Sequence, residues 1–291
     1  MKKISKKTNS YIIHAVWLMW GAASVVHAQT APDAGSILRE QQKPALELPS
    51  RSPPSIKLDE PARPAARRSD TRFFLKQVVI TGNTVFTQQT LLALIEDIRG
   101  KEVGFTDLEQ AAARLSRYYR ERGYLVARAY LPAQDIKDGS VEIAVLEGRF
   151  GKAQINNSSL VRDSVVRAHT ATPPGATVHE LQLERQLLLL NDLAGVRDAR
   201  ASLRPGANVG ESDVLFELAP GPRLAGGIEL NNHGNRFTGA MHLTGRLNLH
   251  SPLGLGDSLS ALLTHGFNGL DYARAGYQLP LGGDGFKLGA A

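Results

Sequence analysis

The 291-residue chain has no cysteine and a formal net charge of +6, part of it supplied by lysines at the N-terminus. Disulfide staples are therefore excluded, and stability must come from packed cores or from strand closure in lipid. The basic balance is modest and not interleaved with aromatic residues, which argues against a single-stranded nucleic-acid surface.

Lys2, Lys3, Lys6 and Lys7 precede an apolar run from Tyr11 to Val26 that ends in Val26-His27-Ala28. A basic n-region, an apolar h-region and a small-x-Ala ending are the parts of a secretory signal peptide, so residues 1–28 are expected to be cleaved off between Ala28 and Gln29. The run is shorter than the roughly 20 apolar residues of a spanning helix, and no later segment has that length. Any later membrane crossing must use β-strands. Residues 29–70 then split in two. Ala34 to Gln42 can form a short helix, whereas Pro44, Pro49, Pro53, Pro54, Pro61 and Pro64 punctuate the rest. Proline fixes φ and lacks the amide donor, which excludes helix or inner strand and predicts a semi-extended linker. Arg63, Arg67 and Arg68 read there as solubilising charge.

From Phe73 an internal repeat begins. Phe74 to Ile80 is β-branched and apolar, and Thr81-Gly82-Asn83 closes it as a turn. A helix is predicted with Leu91, Leu94, Ile95 and Ile98 on one face and a stop at Gly100. A second helix is predicted from the capping box Thr106-Asp-Leu-Glu109, with Leu108, Ala112, Leu115 and Tyr119 as its stripe and Gly123 as its stop. Two strands follow, Tyr124 to Leu131 and Ser140 to Leu146. About 72 residues later the pattern returns. Phe150 to Ile155 is a strand, Leu160 to Ala168 a short helix, and Thr177-Val-His-Glu180 a second capping box. Leu183, Leu187 and Leu190 give the stripe and Gly195 the stop; Val196 to Leu203 and Asp213 to Leu218 are the closing strands. Each copy, 73–148 and 149–221, thus reads as a β-α-α-β-β module.

After Pro222 the periodicity becomes two. Met241, Leu243, Gly245, Leu247 and Leu249 fall on one face; His242, Thr244, Arg246, Asn248 and His250 fall on the other. Strands are predicted over Leu224 to Asn232, Thr238 to Ser251, Asp257 to Phe267 and Leu270 to Leu281, with a fifth from Phe286. A soluble half-buried sheet also alternates. Successive strands of about ten residues with short turns are the pattern of a membrane β-barrel, apolar toward lipid and polar toward the lumen. The fold class is therefore α+β followed by all-β: two modules leading into the first four to five barrel strands, over residues 222–291.

No catalytic pattern is present. The histidines are dispersed without a metal-ligand spacing, and no nucleophile elbow occurs. Leu224-Ala-Gly-Gly-Ile228 lacks the lysine and following helix of a phosphate loop. No enzyme activity, cofactor, metal, nucleotide or nucleic-acid partner is expected.

The stretch from Tyr119 through Gly123-Tyr124 and Pro132-Ala-Gln134 to Asp135, with Gly139 and Val145-Leu-Glu-Gly148, resembles the first polypeptide-transport-associated (POTRA) domain of two-partner secretion transporters of the haemolysin activation/secretion type. Asn232-His-Gly234 through Gly239, then Pro252-Leu-Gly-Leu-Gly-Asp257, is similar to the start of that family's barrel, and Ala34 to Gln42 to its pore-plugging helix. The resemblance implies an outer-membrane location in a Gram-negative bacterium, with the modules in the periplasm. It also implies an unfolded secreted exoprotein as partner, outer-membrane lipid around the barrel, and a barrel of about sixteen strands. The chain stops after Lys287-Leu-Gly-Ala-Ala291, so a C-terminally truncated transporter is expected. Gly123, Tyr124, Pro132, Gln134 and Gly148 are the motif's structural positions.

The family fold puts the second strand of each module at an open sheet edge. These edges are Leu125, Val126, Ala127, Arg128, Ala129, Tyr130 and Leu131 in the first copy and Val196 to Leu203, with Val196, Arg197 and Arg200, in the second. An unfolded client can add a strand to such an edge, with Leu91, Leu94 and Ile95 lining a groove beside the first. The competing reading makes the leucines core and the arginines guards against edge aggregation. Two other roles stay open: an outer-membrane assembly factor, and a periplasmic POTRA scaffold whose β-tail is soluble.

Overall fold

The computed structural model describes residues 56–58, 72–136, 138–173, 175–232, 240–267 and 270–291. The expected signal peptide, the Ala34 to Gln42 helix and most of the proline-rich stretch lie outside them. One piece of that stretch is described, and it is a strand: β1 (Ile56–Leu58).

The first module contains β2 (Arg72–Phe74), β3 (Gln77–Thr81), α1 (Gln88–Ala93), a 3₁₀ turn at Glu96–Ile98, β4 (Glu102–Gly104), α2 (Phe105–Arg120), β5 (Arg128–Tyr130) and β6 (Ser140–Leu146). The single strand expected over Phe74 to Ile80 is broken at Leu75 and Lys76, whose amides donate to Lys101 and Gly139 carbonyls instead. β2 pairs with β4, and the main sheet runs β3-β6-β5, parallel then antiparallel. The first helix is shorter than its apolar pattern suggested, ending at Ala93 before the 3₁₀ turn. The helix α2 starts two residues before the expected box. Gly104 is its extended N-cap, and the Asp107 carboxylate accepts the Gly104 amide at 2.9 Å. Thr106 is inside the first turn, because the short β4 delivers the chain directly into the helix.

The second module repeats the topology: β7 (Arg149–Asn157), α3 (Asp163–Thr170), α4 (Glu180–Asn191), β8 (Val196–Pro205) and β9 (Glu211–Pro220). β7 is parallel to β9, and β9 antiparallel to β8, as in β3-β6-β5. The second expected capping box is also displaced. His179 caps α4, its Nδ1 accepting the Leu181 amide at 3.2 Å, while Thr177 bridges to Arg149. Each module buries its own core, one around Leu75, Ile143, Leu91, Leu115 and Tyr119, the other around Leu183, Leu187, Leu190, Leu203 and Phe216.

Five antiparallel strands follow in sequence order: β10 (Leu224–Asn231), β11 (His242–His250), β12 (Ser258–Gly266), β13 (Leu270–Leu281) and β14 (Phe286–Ala290). The register joins the alternating faces across the sheet. One line of partners is Gly226, Leu247, Ala261 and Ala275; the neighbouring line, on the other face, is Gly227, Arg246, Leu262 and Arg274. On the apolar face Ile228 is 82% and Leu263 62% exposed. Large aliphatic side chains so exposed in a regular sheet fit hydrocarbon, not water. The opposite face carries the Arg246–Glu229 ion pair at 2.9 Å and the Thr244–Thr264 hydroxyl pair. No helix among the described residues is long and apolar enough to cross a membrane.

Candidate polypeptide-binding edges

The first module does end on β5, but the strand is three residues long, not the eight expected. Ala127 and Ala129 are buried beneath α2, while Arg128 is exposed and Tyr130 partly so. The outward backbone of this edge is already engaged. The Ser116 hydroxyl on α2 accepts the Ala129 amide at 2.9 Å and donates to the Ala112 carbonyl at 2.9 Å. An edge amide satisfied from its own helix is one way a sheet resists unwanted pairing. Past β5 the chain turns at Pro132, and Gln134 continues the pairing by side chain. Its Nε2 donates to the Glu142 carbonyl at 2.8 Å, and its Oε1 accepts the Glu142 amide at 2.8 Å.

Gly123, the expected stop of α2, and Tyr124, Leu125 and Val126, expected in that strand, form the joint between the modules. Leu125 and Val126 pack on the core of the second module. The Gly123 carbonyl accepts the Glu180 amide at 2.8 Å, and the Tyr124 and His179 rings meet edge-on at 4.8 Å. Gly148 closes the joint from below: its carbonyl accepts the Val178 amide at 2.9 Å, and at φ +77° an added Cβ would lie 2.1 Å from Val126 Cγ2. The segment cannot be an edge strand because both of its sides are used for docking.

Next to the joint, the buried Glu147 carboxylate gathers the loop after β3. It accepts the Thr84 amide at 2.7 Å, the Val85 amide at 2.8 Å, the Tyr119 hydroxyl at 2.8 Å and the Thr84 hydroxyl. Burial disfavours the ionised form, but these donors outweigh it and hold the Glu147 pKa below the ordinary value. Burial and that carboxylate push the Tyr119 phenol far up.

Leu91 and Ile95 are core residues, 0% and 2% exposed, and Leu94 packs against the same core. Leu91 lies in α1, which packs on β3 at the opposite side of the sheet from β5, and Leu94 and Ile95 follow directly after that helix. The groove expected beside the first edge is therefore walled by α2 and not by these residues.

The second expected edge, Val196 to Leu203, is covered in part. β1 pairs with β8 in parallel, Ile56 opposite Ala201, Lys57 opposite Ser202 and Leu58 opposite Leu203. Val196 is buried at the start of β8; Arg197 and Arg200 are exposed, with Arg200 Nε donating to Asp198 at 2.7 Å. Among the described residues, no strand pairs with this edge between Val196 and Arg200.

The five-stranded sheet meets the second module through two of its turns. In the 251–257 turn, the Gly254 carbonyl accepts the Arg162 amide at 2.8 Å, and the Gly256 carbonyl the Ala194 amide at 3.2 Å. The fully buried Asp257 organises that turn, accepting the Leu253 and Leu255 amides and the Tyr277 hydroxyl. At the turn between β13 and β14 Asp284 pairs with Arg185 at 3.3 Å, and Lys287 at the start of β14 pairs with Asp192 at 2.6 Å. No cluster of metal-ligating side chains occurs among the described residues.

Ser116, Glu147, Asp257 and Ile56–Leu58 were missed in the sequence. Glu147 and Asp257 stand inside the Val145–Gly148 and Pro252–Asp257 motifs, but the Thr84, Val85 and Tyr119 partners of the first and the Tyr277 partner of the second are distant in the chain. Ile56-Lys57-Leu58 is an apolar–polar–apolar triplet whose strand signal was outvoted by its proline neighbours.

The POTRA domain, ShlB-type, matches residues 73–148, and the haemolysin secretion/activation protein ShlB/FhaC/HecB family matches residues 210–290. The chain belongs to the haemolysin secretion/activation family. The heme/hemopexin transporter protein HuxB of Haemophilus influenzae (strain Rd) is 31% identical over 289 residues, covering 96% of this chain and 51% of HuxB. The outer membrane transporter CdiB of Escherichia coli is 24% identical over 237 residues, covering 79% of this chain and 40% of CdiB. The solved structure of CdiB from Escherichia coli shares the fold with a TM-score of 0.62 at 23% identity, over 78% of this chain and 43% of that one. The chain spans about half the length of the curated relatives it matches.

Proposed function

We propose that this chain forms the periplasmic receiving modules and the barrel entry of an outer-membrane two-partner secretion transporter. Its partner is an unfolded exoprotein, whose secretion signal the modules bind and pass toward a strand-built pore, without nucleotide, cofactor or catalytic chemistry. One observation carries this reading: two sheets of identical strand order are docked, through the second, onto the turns of a sheet with one hydrocarbon-like face. The modules are thereby coupled to the membrane sheet at one end and to each other at the Tyr124–His179 joint. Family membership and the CdiB fold support the same reading. The client is proposed to engage the first module at the β5 edge by taking the outward Ala129 amide over from the Ser116 hydroxyl. Binding of the full chain in detergent to the N-terminal region of the secreted partner tests this. Capture that tightens on Ser116→Ala, which frees the Ala129 amide, supports it, and no capture, or capture indifferent to the edge, removes it.

A further inference from the structure

Resting on the reading of residues 222–291 as a membrane sheet, we propose that α3 of the second module lies in the headgroup layer of the adjoining leaflet, where Arg162 and Arg167 bind the phosphates of anionic phospholipid. The rim of the sheet sets the level. Leu224, Leu249, Leu259 and Tyr277 form one row of register partners across four strands, on the apolar face. Leu224 is 58% exposed, and Phe286, on the same face of the last strand, 73%. Hydrocarbon ends near this row on the module side, and a polar headgroup layer of roughly 5–7 Å follows. Two turns at that end of the sheet hold α3 against the boundary. The Arg162 amide donates to the Gly254 carbonyl of the 251–257 turn at 2.8 Å. At the other end of the helix, a Cβ on Gly283 of the β13–β14 turn would lie 2.3 Å from the Ala168 carbonyl oxygen. A helix touching two turns at one end of a lipid-facing sheet runs along the membrane boundary.

The charges at this boundary divide into matched and unmatched. Asp284 and Lys287 of the sheet are answered by Arg185 and Asp192 of the module. Asp163, the acid next to Arg162, accepts from the Asn157 amide at 2.8 Å. Arg162 and Arg167 are both exposed, and neither forms an ion pair among the described residues. The helix itself accounts for one of them. Arg167 stands in the last turn, where a cation complements the macrodipole. Arg162 is the N-cap, at the positive end, and no side chain accepts a hydrogen bond from the first turn there. A cation at that position is opposed by the helix, whereas an anion is favoured by both the guanidinium and the uncapped turn. The Arg162 stem lies along the rim, its Cγ 3.0 Å from where a Cβ on Gly254 would stand. A stem against the rim with its guanidinium in the headgroup layer is a snorkelling arrangement, and a guanidinium takes two phosphate oxygens at once. The seating of the module on the membrane then depends on lipid charge as well as on protein contacts.

The chain has no cysteine, so Ala171→Cys, at an exposed position just after α3, carries a single environment-sensitive fluorophore. The labelled full chain, in uncharged dodecylmaltoside micelles, is titrated with phosphatidylglycerol, with phosphatidylcholine or with inorganic phosphate. Each basic residue at an anionic surface contributes about fivefold to partitioning. The phosphatidylglycerol midpoint is therefore expected to rise about 25-fold in Arg162→Gln/Arg167→Gln and to stay within about threefold of wild type in Arg162→Lys/Arg167→Lys. Added salt should weaken the wild-type response. Arg197→Gln/Arg200→Gln removes the same charge from exposed positions on β8 and should leave the midpoint unchanged. A glutamine-variant midpoint within about threefold of wild type, an equal loss in the β8 variant, an equal response to phosphatidylcholine or to inorganic phosphate, or no response to any lipid overturns the proposal. No exoprotein enters the assay, so its failure is distinct from a failure of exoprotein capture, and membrane fractionation of Leu263→Arg tests the sheet by itself.

Discussion

Replacing Glu147 tests how the loop after β3 is held. Three donors converge on its Oε1, from Thr84, Val85 and Tyr119, and the Thr84 hydroxyl takes Oε2. Glu147→Ala orphans them all. The Tyr119 side chain is 0% exposed and cannot turn to water, so its hydroxyl alone costs about 1–3 kcal/mol. The two amides are only partly buried and recover part of their solvation, for a total of about 3–5 kcal/mol. Glu147→Gln should cost less. Its oxygen can occupy the Oε1 position, and the Thr84 hydroxyl can rotate to accept from the new amide. What is lost is the charge assistance of three bonds, about 1–3 kcal/mol in all. Adding Tyr119→Phe to Glu147→Ala removes the orphan and should return about 1–2 kcal/mol relative to the sum of the single changes. Native-state hydrogen exchange at β3 and β6 amides in the full chain reads all four values. The pH dependence has a fixed sign. The folded pKa lies below the ordinary value of 4.5, so the stabilisation is complete above 4.5 and is lost as pH falls from there through the folded value. Glu147→Gln should remove that acid loss. A cost below about 1 kcal/mol for Glu147→Ala, or equal costs for Ala and Gln, would refute the hydrogen-bond account.

Three further outcomes follow from the same geometry. Gly148→Ala combines a left-handed backbone penalty of about 1–2 kcal/mol with repacking of Val126, and a total of about 2–4 kcal/mol should appear in exchange at the joint of both modules. Leu263→Arg, on the apolar face, should cost about 2–4 kcal/mol of membrane stability and shift the protein out of the membrane fraction, whereas Ser260→Arg on the opposite face should remain there. Lys287→Ala removes a partly exposed ion pair to Asp192 and should change stability by less than about 1 kcal/mol in urea titration; a larger loss would mean that the start of β14 is a principal anchor of the sheet.

The local pattern of this chain was enough for its architecture. Alternation from Leu224 onward encodes two faces at a period the pleat enforces, and the β11 to β13 register joins those faces as the alternation implied. The β-α-α-β-β repeat was equally legible, because apolar stripes and glycine stops such as Gly123 and Gly195 are short-range signals. Helix starts were not. Both expected boxes had suitable residues, but where the preceding strand or joint delivered the chain decided that Gly104 and His179 became the caps.

The candidate site shows the same division. Sequence placed Arg128 to Tyr130 on the second strand of the first module, and they do lie at its edge. It could not show that Leu125 and Val126 leave that strand to dock on the second module, that Ser116 reaches the Ala129 amide, or that Ile56–Leu58 lies along β8. Side-chain period and turn chemistry are set by neighbours a few residues apart, so the sequence determined the modules and the two-faced sheet. Which edge amides are free depends on partners between 13 and about 145 residues away, and only the tertiary structure decided that.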